Sequence, residues 1–260
     1  MSFDMHSDSD SPWADAPLFH LFWKNGELNN SRAIAMGQRI ARDAVRPAGT
    51  PAPVHRAGVV ALPDAPESDI NAWERRVSER SFSEAPATLP DLGRILHPLR
   101  TRLQGTTRLL PSGGAKYPIH TYLALCRLDG PSELACHIAW YDNIRHGLVP
   151  LRMCPPWRDL ARALGVDWTD EPAAVVFMVG RSENMLSKYG ERGGRFLLIE
   201  AGAHLGALSY QIAQMDWAGC AIGSYHDAAV LSLMGLAGTG HIAILAYAFG
   251  AKKNERPKRS

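Results

Sequence analysis

Two kinds of hydrophobic spacing alternate along this chain, and they predict its elements. Residues 18–23 (LFHLFW) are apolar and aromatic and end at the turn residues Lys24, Asn25 and Gly26, while 30–45 sets Ala, Ile and Met between arginines at helical spacing. Five prolines then fall within 46–70, which reads as an extended connector. Ser68 ahead of Ile70, Trp73 and Val77 predicts a helix over 68–79, and Leu92, Ile95, Leu96 and Leu99 share one face of a second over 89–103. Strand patterns follow at 119–128 and 135–141, joined by the turn Asp129-Gly130-Pro131. Leu160, Ala161 and Leu164 mark a short helix over 157–164, and 173–179 (AAVVFMV) is a buried strand. A long apolar helix over 196–217, a strand at 220–224, a helix at 227–234 and a strand at 241–249 complete the chain. Helices and strands mix without βαβ alternation, so the expected class is α+β, with helices flanking a mostly antiparallel central sheet. Residues 1–66 read as an N-terminal arm with its connector, 67–250 as the domain and 251–260 as a basic tail.

Composition narrows the class. With 260 residues, 46% hydrophobic and 21% charged, the chain can bury a sizeable core. A net charge of +2 with no basic stripe gives no reason to expect nucleic acid as a partner. The four cysteines form no CxxC or zinc spacing, which fits reduced thiols in a cytoplasmic protein. The acidic N-terminus lacks the apolar stretch of a signal peptide, and Glu200, His204 and Gln211 in the longest apolar helix argue against a membrane span. No HExxH or histidine cluster is present, so no metal site is expected, and no GxSxG marks a hydrolase elbow.

The candidate chemistry centres on 187–225, SKYGERGGRFLLIEAGAHLGALSYQIAQMDWAGCAIGSY. A polar, glycine-rich loop holds Lys188 beside Tyr189. A lysine serves as a general base only where burial or nearby positive charge disfavours its ammonium form, and Arg192 and Arg195 are close enough in sequence to supply that charge. The plain alternative is a surface pair. In Gly219-Cys220-Ala221-Ile222-Gly223, small residues would let a flat ligand lie against backbone. Upstream, Arg76, Ser78 and Arg80 can converge on one anion, for which the planar guanidinium fork is suited, or they can form a solvated helix face. Ser112, Gly113 and Gly114 free the backbone to present N–H groups to a ligand, or make an ordinary turn. Together these point to redox chemistry on a planar cofactor.

The order RxSxRxF, PSGGAKYP, KYGxRGxRFxLxEAG and GCAIGSYxDxxVxxLxGL resembles the SagB-type dehydrogenases of the flavin-dependent nitroreductase superfamily, over roughly 68–250. That resemblance implies a nitroreductase-like fold, an FMN cofactor and a homodimer with flavin sites at its interface. It implies oxidation of azoline rings in a ribosomally made peptide, with a cyclodehydratase as a candidate partner. By position it assigns the FMN phosphate and ribityl chain to Arg76, Ser78 and Arg80, with Lys252 or Lys253 reaching the phosphate. It assigns the flavin ring or chain to Ser112, Gly113 and Gly114, its other side to Ala221, Ile222 and Gly223, and azoline oxidation to Lys188 and Tyr189. Many relatives continue the EAG helix with His-x-x-Gln-Asn, an amide pair absent after His204, which itself reads as a hydrogen-bonded core residue. Two alternatives remain at this stage: an NAD(P)H-dependent nitro or quinone reductase, and a cofactor-free scaffold subunit of a biosynthetic complex.

Overall fold

A computed structural model describes residues 13–43, 72–102 and 107–253; the proline-rich connector and most of the basic tail lie outside them. In chain order the elements are α1 (Pro17–Gly26), α2 (Asn30–Asp43), β1 (Ala87–Thr88), α3 (Leu89–Leu96), β2 (Ile119–Leu125), β3 (Leu128–Asp129) and β4 (His137–Asp142). There follow β5 (Gly147–Met153), α4 (Trp157–Leu164), β6 (Ala174–Gly180), α5 (Glu183–Tyr189), α6 (Glu191–Gln214), β7 (Trp217–Ile222), α7 (Asp227–Leu233) and β8 (Ile242–Ala251). Six strands form one antiparallel sheet in the order β5-β4-β2-β6-β8-β7, and β1 pairs with β3 in a small parallel ribbon. The α+β architecture read from the sequence is the one observed.

Strand β6 lies inside the sheet and is buried along its whole length, because helices cover both faces. Ala174, Val176 and Met178 join a core with Phe19 of α1, Ile95 of α3, and Leu197 and Leu208 of α6. Their neighbours Val175, Phe177 and Val179 face the opposite way, toward Leu160 of α4 and Val230 of α7. Helix α3 opens on a capping box, Thr88 with Asp91, and α4 closes on Gly165 in the left-handed conformation.

Several expectations are corrected. The helix expected over 68–79 is helical only at 72–75 within the described residues. Past Arg76 the backbone bonds across to the sheet instead: Glu79 N donates to Gly219 O at 3.0 Å and Ser83 N to Ala251 O at 2.9 Å. The second helix stops at Leu96 and tightens into a 3-10 turn at His97–Leu99, since Pro98 cannot continue an α-helix. Helix α6 begins at Glu191 rather than near 196. The segment around Asp129 is no simple turn, because Leu128 and Asp129 pair with Ala87 and Thr88. Strand β5, not predicted, closes one edge of the sheet.

The arm does not stand apart from the domain. Phe19 is buried in the main core, and Leu18 N and Phe19 N donate to the Glu191 carboxylate at 2.8 and 2.7 Å. At the other end of α1, Leu28 N donates to Asp227 Oδ2 at 2.9 Å. No helix among the described residues is long and apolar enough to cross a membrane, and no group of His, Cys, Asp and Glu among them could hold a metal.

Candidate functional site

The expected site residues assemble into two groups. In the first, Lys188 and Tyr189 occupy the last turn of α5, not a loop, because Met185 and Leu186 anchor that helix in the interior and Gly190, with φ of +52°, ends it. The 112–114 loop rises beneath them. Gly114 has φ of +59°, and a Cβ built on it would lie 2.3 Å from Tyr189 Oη and 2.8 Å from Lys188 Nζ. The left-handed backbone favours glycine there, and a methyl group would displace the ends of both side chains. The Tyr189 ring meets Phe196 edge-on at 5.1 Å, and Lys188 Nζ lies 5.1 Å from the Tyr189 ring centroid. Lys188 is exposed and Tyr189 half-buried.

Ser112 faces inward. Its Oγ accepts a hydrogen bond from Tyr117 N at 2.8 Å, and its hydroxyl stands near enough to Glu200 to favour the charged carboxylate. Glu200 is buried on α6, where desolvation pushes its carboxyl pKa up against the opposing pull of Ser112, Arg108 and the Ile119 amide. His204, one turn later, is also buried; its Nδ1–H donates to Glu200 O at 2.9 Å, as expected of a core histidine. Burial, with the charge of Arg108, holds its pKa down to about 4.

The second group lies beside the β7–β8 edge. Arg76, Ser78 and Arg80 are all exposed, and neither guanidinium has an ion-pair partner among the described residues. Phe82 then pairs antiparallel with Lys252. Ala221 is exposed on the edge strand, and Gly223 has nothing among the described residues within 4 Å of a built Cβ, which leaves backbone open to a ligand there. Ile222 points into the core at 2% exposure, which leaves only its main chain available. Lys252 and Lys253 are engaged with Asp216 at 2.5 Å and Asp170 at 2.8 Å.

Among the described residues no hydrogen bond, ion pair or ring contact joins the two groups. A cavity of about 160 Å³ lies between α1 and the loop after β7, lined by Phe22, Trp23, Leu28, Gly223, Tyr225 and Asp227. Another of about 260 Å³ lies under the β4–β5 hairpin and contains none of the expected residues. Sequence reasoning missed Arg108 and Glu191, used Asp227 only as a motif position, and used Glu200 only as a motif position and a charge in an apolar run. That last anomaly, a carboxylate in the middle of FLLIEAGAHL, was the one signal available.

Comparison with known proteins agrees with this architecture. The profile described as "Nitroreductase family" matches residues 74–251. A nitroreductase homologue of Methanocaldococcus jannaschii, MJ1384, is 27% identical over 176 residues, covering 65% of this chain and 85% of its own. Among solved structures, a chain of the Escherichia coli microcin synthetase McbBCD complex with truncated pro-MccB17 bound superposes with a TM-score of 0.65 at 19% identity, covering 87% of this chain and 95% of that one. A nitroreductase homologue from Ralstonia eutropha gives 0.61 at 20% identity, covering 78% and 88%.

Proposed function

The chain belongs to the nitroreductase family, and from that premise we propose that it is an FMN-dependent dehydrogenase oxidising thiazoline or oxazoline rings in a ribosomally made peptide to thiazoles or oxazoles. The observation that carries this reading is the convergence of an amine and a phenol over one glycine, Lys188 Nζ and Tyr189 Oη above Gly114. Aromatising such a ring removes a proton from Cα and a hydride from Cβ. Lys188, exposed in the free chain, takes the proton once the bound peptide covers its amine, with the Tyr189 hydroxyl beside it to orient the amine or to pass the proton on. A base held in this way contributes about 10²–10⁴-fold.

The residues of the second group fit FMN. Arg76 and Arg80, exposed and without ion-pair partners among the described residues, with Ser78 between them, suit its phosphate, and the open backbone at Ala221 and Gly223 suits a flat ring. When bound, FMN supplies the acceptor for the hydride. A homodimer accounts for the separation of the two groups, since a site shared by two protomers draws one group from each. The long helix supports this: Ile199 is 68% exposed, and Gly202 and Gly206 have nothing among the described residues within 4 Å of a built Cβ. The peptide substrate and a cyclodehydratase partner draw support from the likeness to a chain of the synthetase complex with truncated pro-MccB17 bound.

The test is turnover of an azoline-containing peptide by the flavin-loaded protein, wild type against Lys188→Ala. The variant is expected to retain its flavin spectrum and lose ring oxidation; undiminished oxidation rejects the assignment. The relationship to MJ1384 favours one second reading, a nicotinamide-dependent nitro or quinone reductase. Rapid bleaching of the flavin on anaerobic mixing with NADPH, without azoline oxidation, would select it.

A further inference from the structure

Glu200 is 3% exposed, and its Oε2 has no hydrogen-bond partner among the described residues. A carboxyl group in that setting is costly unless it holds something in place. Facing it are Arg108, the Ser112 hydroxyl and the Ile119 amide. From there a chain of contacts runs outward. Tyr117 N donates to Ser112 Oγ at 2.8 Å, and the Tyr117 hydroxyl accepts from Arg108 N at 3.1 Å. The Arg108 guanidinium lies 5.0 Å from the centre of the Tyr117 ring and donates to Ile119 O at 2.9 Å.

Pinned between these contacts is a turn in unusual geometry. Gly114, Ala115 and Tyr117 have φ of +59°, +54° and +48°. Residues bearing a Cβ avoid that region, so a turn holding two of them needs outside support. The same turn carries the Gly114 backbone against which Tyr189 Oη and Lys188 Nζ rest.

The geometry points to Glu200 as a positioning residue: it anchors Ser112, Ser112 anchors the turn at 114–117 with its three left-handed residues, and the turn sets where the amine and phenol stand. Glu200 itself touches neither. For its effect on turnover the inference rests on the proposed roles of Lys188 and Tyr189; the mechanical link does not.

The experiment compares Glu200→Met, similar in length but without an oxygen, with Glu200→Gln, which keeps an acceptor for Ser112. In the flavin-loaded full chain, Glu200→Met is expected to lower kcat for azoline oxidation about 10- to 100-fold with KM little changed, and Glu200→Gln to restore most of it. Independently of turnover, the rate of Lys188 acylation by limiting acetic anhydride is read by peptide mass spectrometry against Lys24 as internal reference. It should change severalfold in Glu200→Met and stay at the wild-type value in Glu200→Gln. Wild-type labelling and kcat in Glu200→Met overturn the proposal. Should Glu200→Met fail to fold, Tyr117→Phe removes another pin of the same turn, and an unchanged Lys188 labelling rate in that variant overturns it equally. Absence of azoline oxidation in the wild type would sink the functional reading and leave the labelling comparison to decide this one.

Discussion

Phe19 packs on Gly194 so closely that a Cβ built on the glycine would stand 2.3 Å from Cδ2 of the ring. This contact seats the N-terminal arm on the long helix. Two effects compete in Gly194→Ala. Alanine gains roughly 1 kcal/mol over glycine inside a helix, whereas forcing a methyl into a filled space costs about 1–3 kcal/mol. The ring has little room to yield, being flanked by Trp13, Phe22 and Trp23 with centroids 6.1–6.4 Å away. The clash should therefore win, and Gly194→Ala should lose about 1–2 kcal/mol in urea unfolding. In a Phe19→Ala background the same substitution should become stabilising. Equal effects in the two backgrounds would show that the contact does not limit the site.

Glu191 makes a second prediction about the arm. Ala16, the residue before α1, offers no side-chain cap, and the Glu191 carboxylate accepts from Leu18 N and Phe19 N in its place. A carboxylate on two unpaired helix amides is also favoured by the helix dipole. Glu191→Ala should cost about 1 kcal/mol, the worth of an ordinary N-cap. Because the loss falls on α1 alone, tryptic cleavage at Lys24 should accelerate while sites nearer the sheet keep their wild-type rates. Uniform acceleration would mean that the carboxylate supports the whole fold and not the arm.

What was legible in the sequence follows from where each residue's partners lie. Helix α4 was read with its observed bounds because Leu160, Ala161 and Leu164 are buried and its stop, Gly165, is local. Strand β6 was read because burial on both faces writes an unbroken apolar run. Strand β5 was not, because it is an edge strand whose Val149, Leu151 and Met153 are 39–64% exposed around Pro150, so no burial alternation is written into it. The helix expected through Val77 and Ser78 fails because the Glu79 amide bonds to Gly219, a partner that no local pattern encodes. At the site, the residue types of the Ser112–Gly114 loop and the Lys188–Tyr189 pair could be picked out, but their meeting at Gly114 is a tertiary fact. Glu200 stood out as a charge in an apolar run, yet Arg108 and Ser112, which explain it, lie far back in the chain.

Gly114→Ala separates stability from positioning. A left-handed alanine costs about 1–2 kcal/mol, which the fold should survive. The atoms in the way are the ends of the Tyr189 and Lys188 side chains, which can swing aside at little cost in stability. The damage should therefore appear in turnover: azoline oxidation reduced about 10- to 100-fold while bound flavin and cooperative unfolding persist. A variant that loses about 2 kcal/mol of stability or less but turns over normally would mean that the pair need not stand over this glycine.

His204 sets part of the acid sensitivity of the fold. It is 2% exposed, and burial together with the charge of Arg108 lowers its pKa from 6.5 to about 4, outweighing the hydrogen bond to Glu200 O. A depressed histidine pKa means that the unfolded chain binds the proton more readily than the folded one. The contribution is therefore fully present above pH 6.5 and is lost as pH falls toward 4. The gap from 6.5 to about 4 corresponds to about 3 kcal/mol over that window. Glu200 works in the opposite sense, since burial raises its pKa and protonation favours its folded form as pH falls. His120, also held at about 4 by burial and by Arg108, His241 and Arg181, adds to the loss. Both remain in His204→Gln, so subtracting its urea-derived stability from that of the wild type between pH 7 and pH 4.5 isolates the His204 contribution. The wild type should lose about 2–3 kcal/mol more than the variant over that range, and parallel pH profiles would show that the buried ring takes up a proton without cost.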